Sequence, residues 1–568
     1  MQRNMNEKAD VVIQLRPFYM IAIIVVILSA IMSWMGYGQD IEYHAERVAA
    51  LAEEMHNGFG IYRIYTTVCD GYGYASPMFY GDIFLYPAAA LVALGMPLGV
   101  AFRILLASIM VFSFVSMYFC AKSVFGKDYA MFTAYLYAFS PILLTDIFIR
   151  YAVGESLAFI FIPIVLLGFY RIVIEPKNER LDWIWLGIGM SGLIFSHIIS
   201  TVLTVILLVL LCIIFIRKIW ERKIAVLYIV FAAMLTVGIT AYFTMPMLEQ
   251  MATSQFFVMN RQESDLAGNV APIIGLFFGS EYLNVLNVIL EKVAGQSHRI
   301  TFDWFSGGYG YILFFALWIR IRGKNLQKNK FVDLCIILGL FYLVLSVVPF
   351  IQPFVEPIVG FMKLPWRNLT FYILFIALAT AGILTQLWNL GKKQLVRVGI
   401  LLATFGTVLA FAGLVMITWH NGMFPYEKLS TASVGLGEYL PSAVPDYDYS
   451  LHRGDKVECS DEDAEYSLSR ENGYTRLTVA NLEQDTVFEV PVYMYRGYTA
   501  ENEQSGMSYT TYVSDNGLVE FELPRGTTGT IKVYYKGTLI QKLSDMISIV
   551  TIFGLLMVVL CNREKNKN

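Results

Sequence analysis

The 568-residue chain is short of charge and of side chains that bind metals. Only 15% of its residues are Asp, Glu, Lys or Arg, and it has six histidines and six cysteines. Cys69, Cys120, Cys212, Cys335, Cys459 and Cys561 fall at no CxxC or zinc-ligand spacing. That argues against a disulfide framework, a zinc site and a redox role. A P-loop and a Rossmann glycine fingerprint are both missing, so a nucleotide site of either kind is not expected. Solenoid repeats and low-complexity tracts are missing too. The net charge of −3 selects no partner, and nothing points to nucleic acid.

Apolar residues are abundant: 57% of the chain, with a mean hydropathy of +0.56 and repeated runs long enough to cross a bilayer. The fold class expected is a polytopic α-helical membrane protein. The first run, Pro17 to Met35, lacks a small-residue cleavage site and reads as a retained helix. Lys/Arg clusters at Arg3/Lys8/Arg16, Lys122/Lys127, Arg171/Lys177/Arg180, Arg217 to Lys223, Arg320 to Lys330, Lys392/Lys393/Arg397 and Arg563/Lys565/Lys567 should face the cytoplasm. Joining them takes about 12 transmembrane helices with both termini inside. The segment Phe79 to Leu94 is bounded by Pro77, Gly81, Pro87, Gly95 and Pro97, and reads as a short external or re-entrant element.

The outward parts are then the loop 38–80, the turn from Asp146 to Glu155, the turn at His197, the loop from Glu249 to Asp303, the loop from Gln352 to Arg367, and a long segment from His420 to Ser544. That last segment alternates polar and apolar residues in short runs such as "TRLTVANL", "VFEVPVYMY", "LVEFELP" and "TIKVYYKG", broken by "DNG" and "PRG". This is the pattern of a small antiparallel β-sandwich-like domain. The organisation expected is a transmembrane domain at 1–419 with an outer interfacial loop at 38–97, an extracytoplasmic β segment at 420–543, and a final helix with a basic cytoplasmic tail at 544–568.

Within the first outer loop, "GYGQDIEYHAERVAALAEEMHNGFGIY" places Asp40, His44 and Arg47 at helical spacing. Ile41, His44, Val48, Leu51 and Met55 form a stripe opposite Glu42, Glu46 and Glu53, as in an amphipathic helix lying in the membrane interface. Two readings stay open: Asp40 caps the helix while His44 and Arg47 anchor it, or the three belong to a site. Asp146, Arg150 and Glu155 in "TDIFIRYAVGESLA", His197 in "FSHIIS", and Lys363 and Arg367 in "GFMKLPWRNLTFY" all fall at outer helix ends. Ionisable groups there are costly unless paired or in a watery cavity, which marks each as a site candidate. Equally open are an i, i+4 ion pair for Asp146 and Arg150, snorkelling for Lys363 and Arg367, and a satisfied buried histidine at 197.

"GQDIEYHAERV", "GYGYASPMFYGDIFLYP", "YLYAFSPILLTDIFIRYAVGESLAFIFIPIVLLGF", the Ser196-His197 pair, "KLPWRNLTF" and "VGLGEYLP" at 434–441 together resemble the bacterial membrane family labelled 6-pyruvoyl-tetrahydropterin synthase-related, close to YfhO-like proteins. The resemblance covers nearly the whole chain. The enzyme in that label is a soluble zinc protein whose histidine set is missing here. The wider similarity is to GT-C-fold glycosyltransferases, which take a sugar from a polyprenyl-phosphate carrier on the outer side of the membrane. It implies an inverting hexosyltransferase of a bacterial plasma membrane, with site and β domain on the outer face. The donor would be an undecaprenyl-phosphate sugar, and the acceptor a surface glycopolymer, a lipid or a protein. A donor synthase, a flippase and membrane lipids would be partners.

Such a transfer needs a carboxylate to take the acceptor's proton, for which Asp40, with Glu42, is placed. It needs cations for the leaving phosphate: Arg150, Lys363, Arg367 and Arg47. Aromatic faces for the sugar would come from Tyr72, Tyr74 and Tyr80, with His44, Asp146, Glu155 and His197 completing the substrate-binding set. No spacing demands a metal, but Asp40, Glu42 and Asp146 could offer oxygen ligands to Mg²⁺ or Mn²⁺. The competing classes are a transporter or flippase of lipid-linked glycans, which would carry ionisable groups at mid-membrane in two related halves, and an assembly or adhesion protein built around the β domain.

Overall fold

The computed structural model describes residues 38–58, 60–127, 129–176, 181–260, 266–271, 309–323, 329–421, 426, 437–471 and 473–565. The expected first span, Pro17 to Met35, and most of the expected loop from Glu249 to Asp303 lie outside the described residues.

Apolar runs fold as helices because a helix satisfies its own backbone groups where no water can. The helices that position the site are α1 (Ile41–His56), α2 (Tyr86–Ala93), α3 (Leu98–Phe125), α4 (Ala130–Ala138), α5 (Pro141–Phe148), α6 (Val153–Phe169), α7 (Asp182–Ser196), α8 (Ile198–Ile214), α9 (Lys223–Thr253), α10 (Gly310–Arg322), α11 (Lys330–Val347), α12 (Leu369–Asn389), α13 (Lys393–Asn421) and α14 (Leu539–Lys565). Among the described residues, six helical stretches are long and apolar enough to cross a membrane: Leu98–Phe125, Val153–Ile174, Lys223–Thr253, Lys330–Val347, Pro365–Asn389 and Leu539–Asn562. A seventh results if α4 and α5, bent by 44°, count as one broken span. The break falls at Ser140-Pro141, where proline supplies no backbone donor and the Ser140 hydroxyl accepts from the Leu143 N–H. The described residues therefore hold six or seven candidate spans beside the about 12 expected from the sequence. The longest helix in the Phe79–Leu94 segment is α2, eight residues long. At about 12 Å that helix is too short for a hydrocarbon core of about 30 Å.

The chain divides into two compact units that interleave along the sequence. The first draws on 1–41, 103–233 and 263–424. Its centre is α12, almost wholly buried, packed on α4, α10, α11 and α13. In the same unit α6 and α7 pack closely through glycines. A Cβ on Gly168 would lie 2.4 Å from the Leu186 backbone nitrogen, and one on Gly189 would lie 2.8 Å from that of Val165. Such small residues let membrane helices approach backbone to backbone.

The second unit draws on 42–102, 234–262 and 425–568. Its β region has two antiparallel sheets, one ordered β1-β4-β8-β7 and the other β2-β3-β9-β5-β6. The strands are β1 (Glu458–Cys459), β2 (Tyr466–Glu471), β3 (Tyr474–Val479), β4 (Thr486–Tyr493), β5 (Tyr498–Asn502), β6 (Ser508–Tyr509), β7 (Thr511–Val513), β8 (Leu518–Leu523) and β9 (Gly529–Tyr535). Leu477, Val479, Phe488, Val490, Phe521, Leu523, Ile531 and Val533 form the core between them. Alternate residues on a strand share a face, which is why the quoted sequence runs read correctly as strands.

The same unit corrects the reading of α1. Glu42 and Glu53 are exposed as expected, but Glu46 and Glu54 are buried with most of the helix. The helix lies inside protein on most sides, because the loop after it folds back. The Thr66 N–H and hydroxyl both donate to Glu54 Oε1, the hydroxyl at 2.7 Å, and Arg47 donates to the carbonyls of Tyr80 and Gly81. Glu46 is pushed up to about 8, chiefly by desolvation and secondarily by the like charge of Glu42.

Candidate functional site

The first unit concentrates buried charge at one turn. Asp146 lies in the last turn of α5, Arg150 follows in the connecting turn, and Glu155 sits in the first turn of α6. Tyr151 reverses the chain with φ +55, a left-handed conformation rare for a residue with a bulky side chain. The Arg150 N–H donates to the Thr145 carbonyl at 2.9 Å and the Ala152 N–H to that of Asp146 at 2.9 Å, which hold the turn.

Arg150 Nη1 donates to Asp146 Oδ1 at 2.5 Å and to Glu155 Oε2 at 2.7 Å, and its Nη2 donates to Glu155 Oε1 at 3.3 Å. The guanidinium carbon lies 4.2 Å from the centre of the Trp366 ring. All three charged side chains are nearly inaccessible. Arg367 reaches the same carboxylate from a distant part of the chain. Its Nε donates to Glu155 Oε1 at 2.6 Å and its Nη1 to the Met362 carbonyl at 2.6 Å. Two carboxylates and two guanidiniums thus balance, which burial of ions requires. Arg367 keeps 15% of its side chain exposed, against 2% for Arg150.

His197 closes α7 and caps α8: its Nδ1 accepts from the Ser200 N–H at 3.3 Å and lies 2.9 Å from the Ser200 hydroxyl. A neutral ring therefore carries its proton on Nε2. The charges of Arg150 and Arg367 act on Glu155, and His197 is close enough to interact with it, so the end of α7 belongs to this cluster. Lys363 is half-buried with φ +59, at the end of a 3₁₀ turn before Pro365. Asp40, half-buried, donates its backbone N–H to the Arg150 carbonyl at 2.8 Å, and its charge acts on the Arg150 guanidinium.

The first unit thus gathers Asp40, Asp146, Arg150, Glu155, His197 and Arg367. Arg150 is committed to the network: both terminal nitrogens donate to carboxylates and the side chain is 2% exposed, although its buried Nε has no hydrogen-bond partner among the described residues. Trp366, which covers it, was not singled out from sequence, although its place between Pro365 and Arg367 at a helix entrance is a signal for cation–π packing.

The remaining expected residues belong to the second unit. Arg47 is 1% exposed. Nη2 donates to the Tyr80 carbonyl at 2.7 Å and the Gly81 carbonyl at 3.0 Å, Nη1 is 3.5 Å from His44 Nδ1, and the Tyr80 ring lies 4.5 Å away. It braces a loop instead of offering a phosphate site. Asp82, unmarked from sequence, supplies the buried counter-charge and accepts from the Tyr65 hydroxyl at 3.2 Å. Burial pushes Asp82 up to about 6 against the opposing pull of Arg47. An acid inside the apolar run "FYGDIFLYP" was the available signal.

Tyr72 and Tyr74 are also not open sugar platforms. The Tyr72 hydroxyl donates to the Gly454 carbonyl at 2.6 Å and its ring packs 5.1 Å from that of Tyr493, while the Tyr74 hydroxyl accepts from the Tyr439 N–H at 3.1 Å. Gly71 and Gly73, at φ +82 and +81, turn the segment so tightly that both rings point into protein. Among the described residues no group of three or more His, Cys, Asp or Glu is placed to hold a metal ion. Asp146, one of the suggested oxygen ligands, is already neutralised by Arg150.

No family model matches the chain. An uncharacterised protein of Lactococcus lactis subsp. cremoris (strain MG1363) is 21% identical, over 96% of this chain and 95% of its own. Among solved structures, the Archaeoglobus fulgidus oligosaccharyltransferase in complex with Zn and sulfate aligns with 71% of this chain at 13% identity and a TM-score of 0.35. The aligned region spans about half of that protein, 54% of its length.

Proposed function

We propose that the chain is a membrane glycosyltransferase of GT-C type, akin to the YfhO-like bacterial proteins. It moves a sugar from an undecaprenyl-phosphate carrier to an extracytoplasmic acceptor, with inversion. The observation that carries this reading is the state of Arg367. Glu155 and the Met362 carbonyl hold its Nε and Nη1, while Nη2 makes no hydrogen bond among the described residues and 15% of the side chain stays exposed at the entrance to a buried helix. A pre-aimed cation of this kind suits a departing phosphate.

In the reaction proposed, the acceptor hydroxyl oxygen bonds to the anomeric carbon and gives its proton to the Asp40 carboxylate. The bond from that carbon to the carrier phosphate breaks, and the electron pair leaves with the phosphate. Arg367 and Lys363 offset the charge that develops there. Arg150 and Asp146 touch no reacting atom in this scheme, and act by fixing Glu155.

The test is acceptor-dependent release of undecaprenyl phosphate by the detergent-purified protein, supplied with undecaprenyl-phosphate glucose, galactose, mannose or N-acetylglucosamine and a cell-envelope extract as acceptor. Label from at least one donor should move into the extract. Transbilayer movement of an intact lipid-linked glycan in proteoliposomes, with no cleavage of any donor, would favour the transporter reading instead.

A further inference from the structure

We infer that the second unit carries a groove for an uncharged oligosaccharide, at the sandwich edge where the chain passes from one sheet to the other. This site is separate from the ion network and does not depend on the transfer chemistry. The groove encloses about 970 Å³. That is the upper end of the range of about 300–1,000 Å³ for small-molecule sites, so it has room for several sugar rings.

Four features argue for a carbohydrate. Ten of the 18 lining residues carry a hydroxyl, and Arg496 is the one charged residue among them, so the walls can donate to and accept from a polyol but cannot neutralise a polyanion. Tyr498, Tyr509 and Tyr512 line the groove; Tyr498 and Tyr509 also pack against the sandwich core, whereas Tyr512 is 57% exposed and offers an open ring. An exposed ring face suits the C–H face of a pyranose, whose hydroxyls then turn towards Thr510 and Ser254.

The walls are also rigid. The Gln250 side chain donates to the Arg496 carbonyl at 2.7 Å and accepts from the Arg496 N–H at 3.2 Å. The Ser442 N–H donates to the Gln255 carbonyl at 2.9 Å, and the Thr511 hydroxyl to the Tyr498 carbonyl at 2.9 Å. Preorganised walls lower the ordering cost of binding. Lastly, β6 and β7, whose residues line the groove, are the outer strands of their sheets, so one edge of each is unpaired by a further strand. At two and three residues they are too short to template an added peptide strand, which disfavours a peptide as occupant.

The experiment uses the full-length protein in a sugar-free detergent, titrated calorimetrically with three hexasaccharides: β-1,4-linked glucose, β-1,4-linked N-acetylglucosamine and α-1,4-linked glucose. A hexapeptide of alternating valine and threonine is the strand control. At least one hexasaccharide should bind saturably. Tyr512→Ala should weaken it about 10-fold, while Tyr512→Phe, which keeps the ring, stays near wild type. Unchanged melting of both variants will verify folding, which the exposure of Tyr512 favours. Binding of the peptide alone, no saturable sugar binding, or full sugar affinity in Tyr512→Ala would each overturn the assignment.

Discussion

The backbone N–H of Asp40 donates to the carbonyl oxygen of Arg150 at 2.8 Å, which fixes the proposed base beside the turn that holds the buried ion network. The approach depends on Gly38. A Cβ there would lie 2.1 Å from Tyr151 Cδ2 and 2.4 Å from the Ile149 carbonyl oxygen, well inside contact distance. The glycine ahead of Asp40 and the left-handed Tyr151 are thus two halves of one close packing.

Arg150 should matter first to stability. Replacing it with alanine strands Asp146 and one face of Glu155 without a counter-charge in a buried place. The expected cost is about 3–5 kcal/mol, read as a lower melting midpoint in detergent. Arg150→Lys should recover only part, because an ammonium cannot reproduce the two-nitrogen contact with Glu155. Wild-type melting in Arg150→Ala would show that the network is not structural.

Arg367→Ala should behave differently. Glu155 keeps its contacts with Arg150, so the fold loses less, while the phosphate loses its accessible cation. Turnover should fall by an amount equivalent to about 2–4 kcal/mol of transition-state stabilisation, and Arg367→Lys should retain part of it. Steady-state kinetics of folded protein decides the matter: normal kcat/KM in the alanine variant would reduce Arg367 to a helix anchor.

The pH dependence of stability should report Glu46. Its folded value, about 8, is raised above the ordinary 4.5, so the folded state holds the proton more tightly than the unfolded chain does. The stabilisation is complete below about 4.5 and is lost as pH rises through about 8, on the order of a few kcal/mol. Glu46→Gln should flatten the fall in melting midpoint across that window and melt higher than wild type at its alkaline end. An unchanged slope in the variant would assign the dependence to another group.

How far the sequence disclosed all this depends on the range of each contact. The spans and the strands β3, β4, β8 and β9 were readable because burial imposes a period or an apolar run on the local sequence. Strand β2 was not, since most of "YSLSRE" is exposed and carries no such imprint. Asp146 and Arg150, four apart, announced their pairing, whereas Glu155 and Arg367 are 212 residues apart and meet only through helix packing. Tyr72 and Tyr74 misled for another reason: a ring beside a glycine turn looks the same in sequence whether it faces a sugar or the protein interior. Glu46 misled because its helical spacing gave it an outer face, whereas the structure buries it.

The sharpest test of the proposed chemistry is Asp40→Asn. Asp40 immediately precedes α1, and asparagine caps helices as well as aspartate does. Its backbone N–H, which bonds the Arg150 carbonyl, is untouched by the change. Melting should therefore stay close to wild type. Asparagine cannot take a proton from an attacking hydroxyl, so turnover should fall about 100-fold or more, the range for lost acid–base assistance, while donor binding persists. Asp40→Glu keeps the carboxylate but displaces it by one methylene, and should lie between the two. Donor binding, turnover and melting measured on the same preparations separate the outcomes. Lost turnover with retained binding and melting supports the base, whereas lost melting would make Asp40 a structural tie. Near-normal turnover in Asp40→Asn would move the role to Glu42 or Asp146, and full activity with all three carboxylates replaced would end the carboxylate-base mechanism.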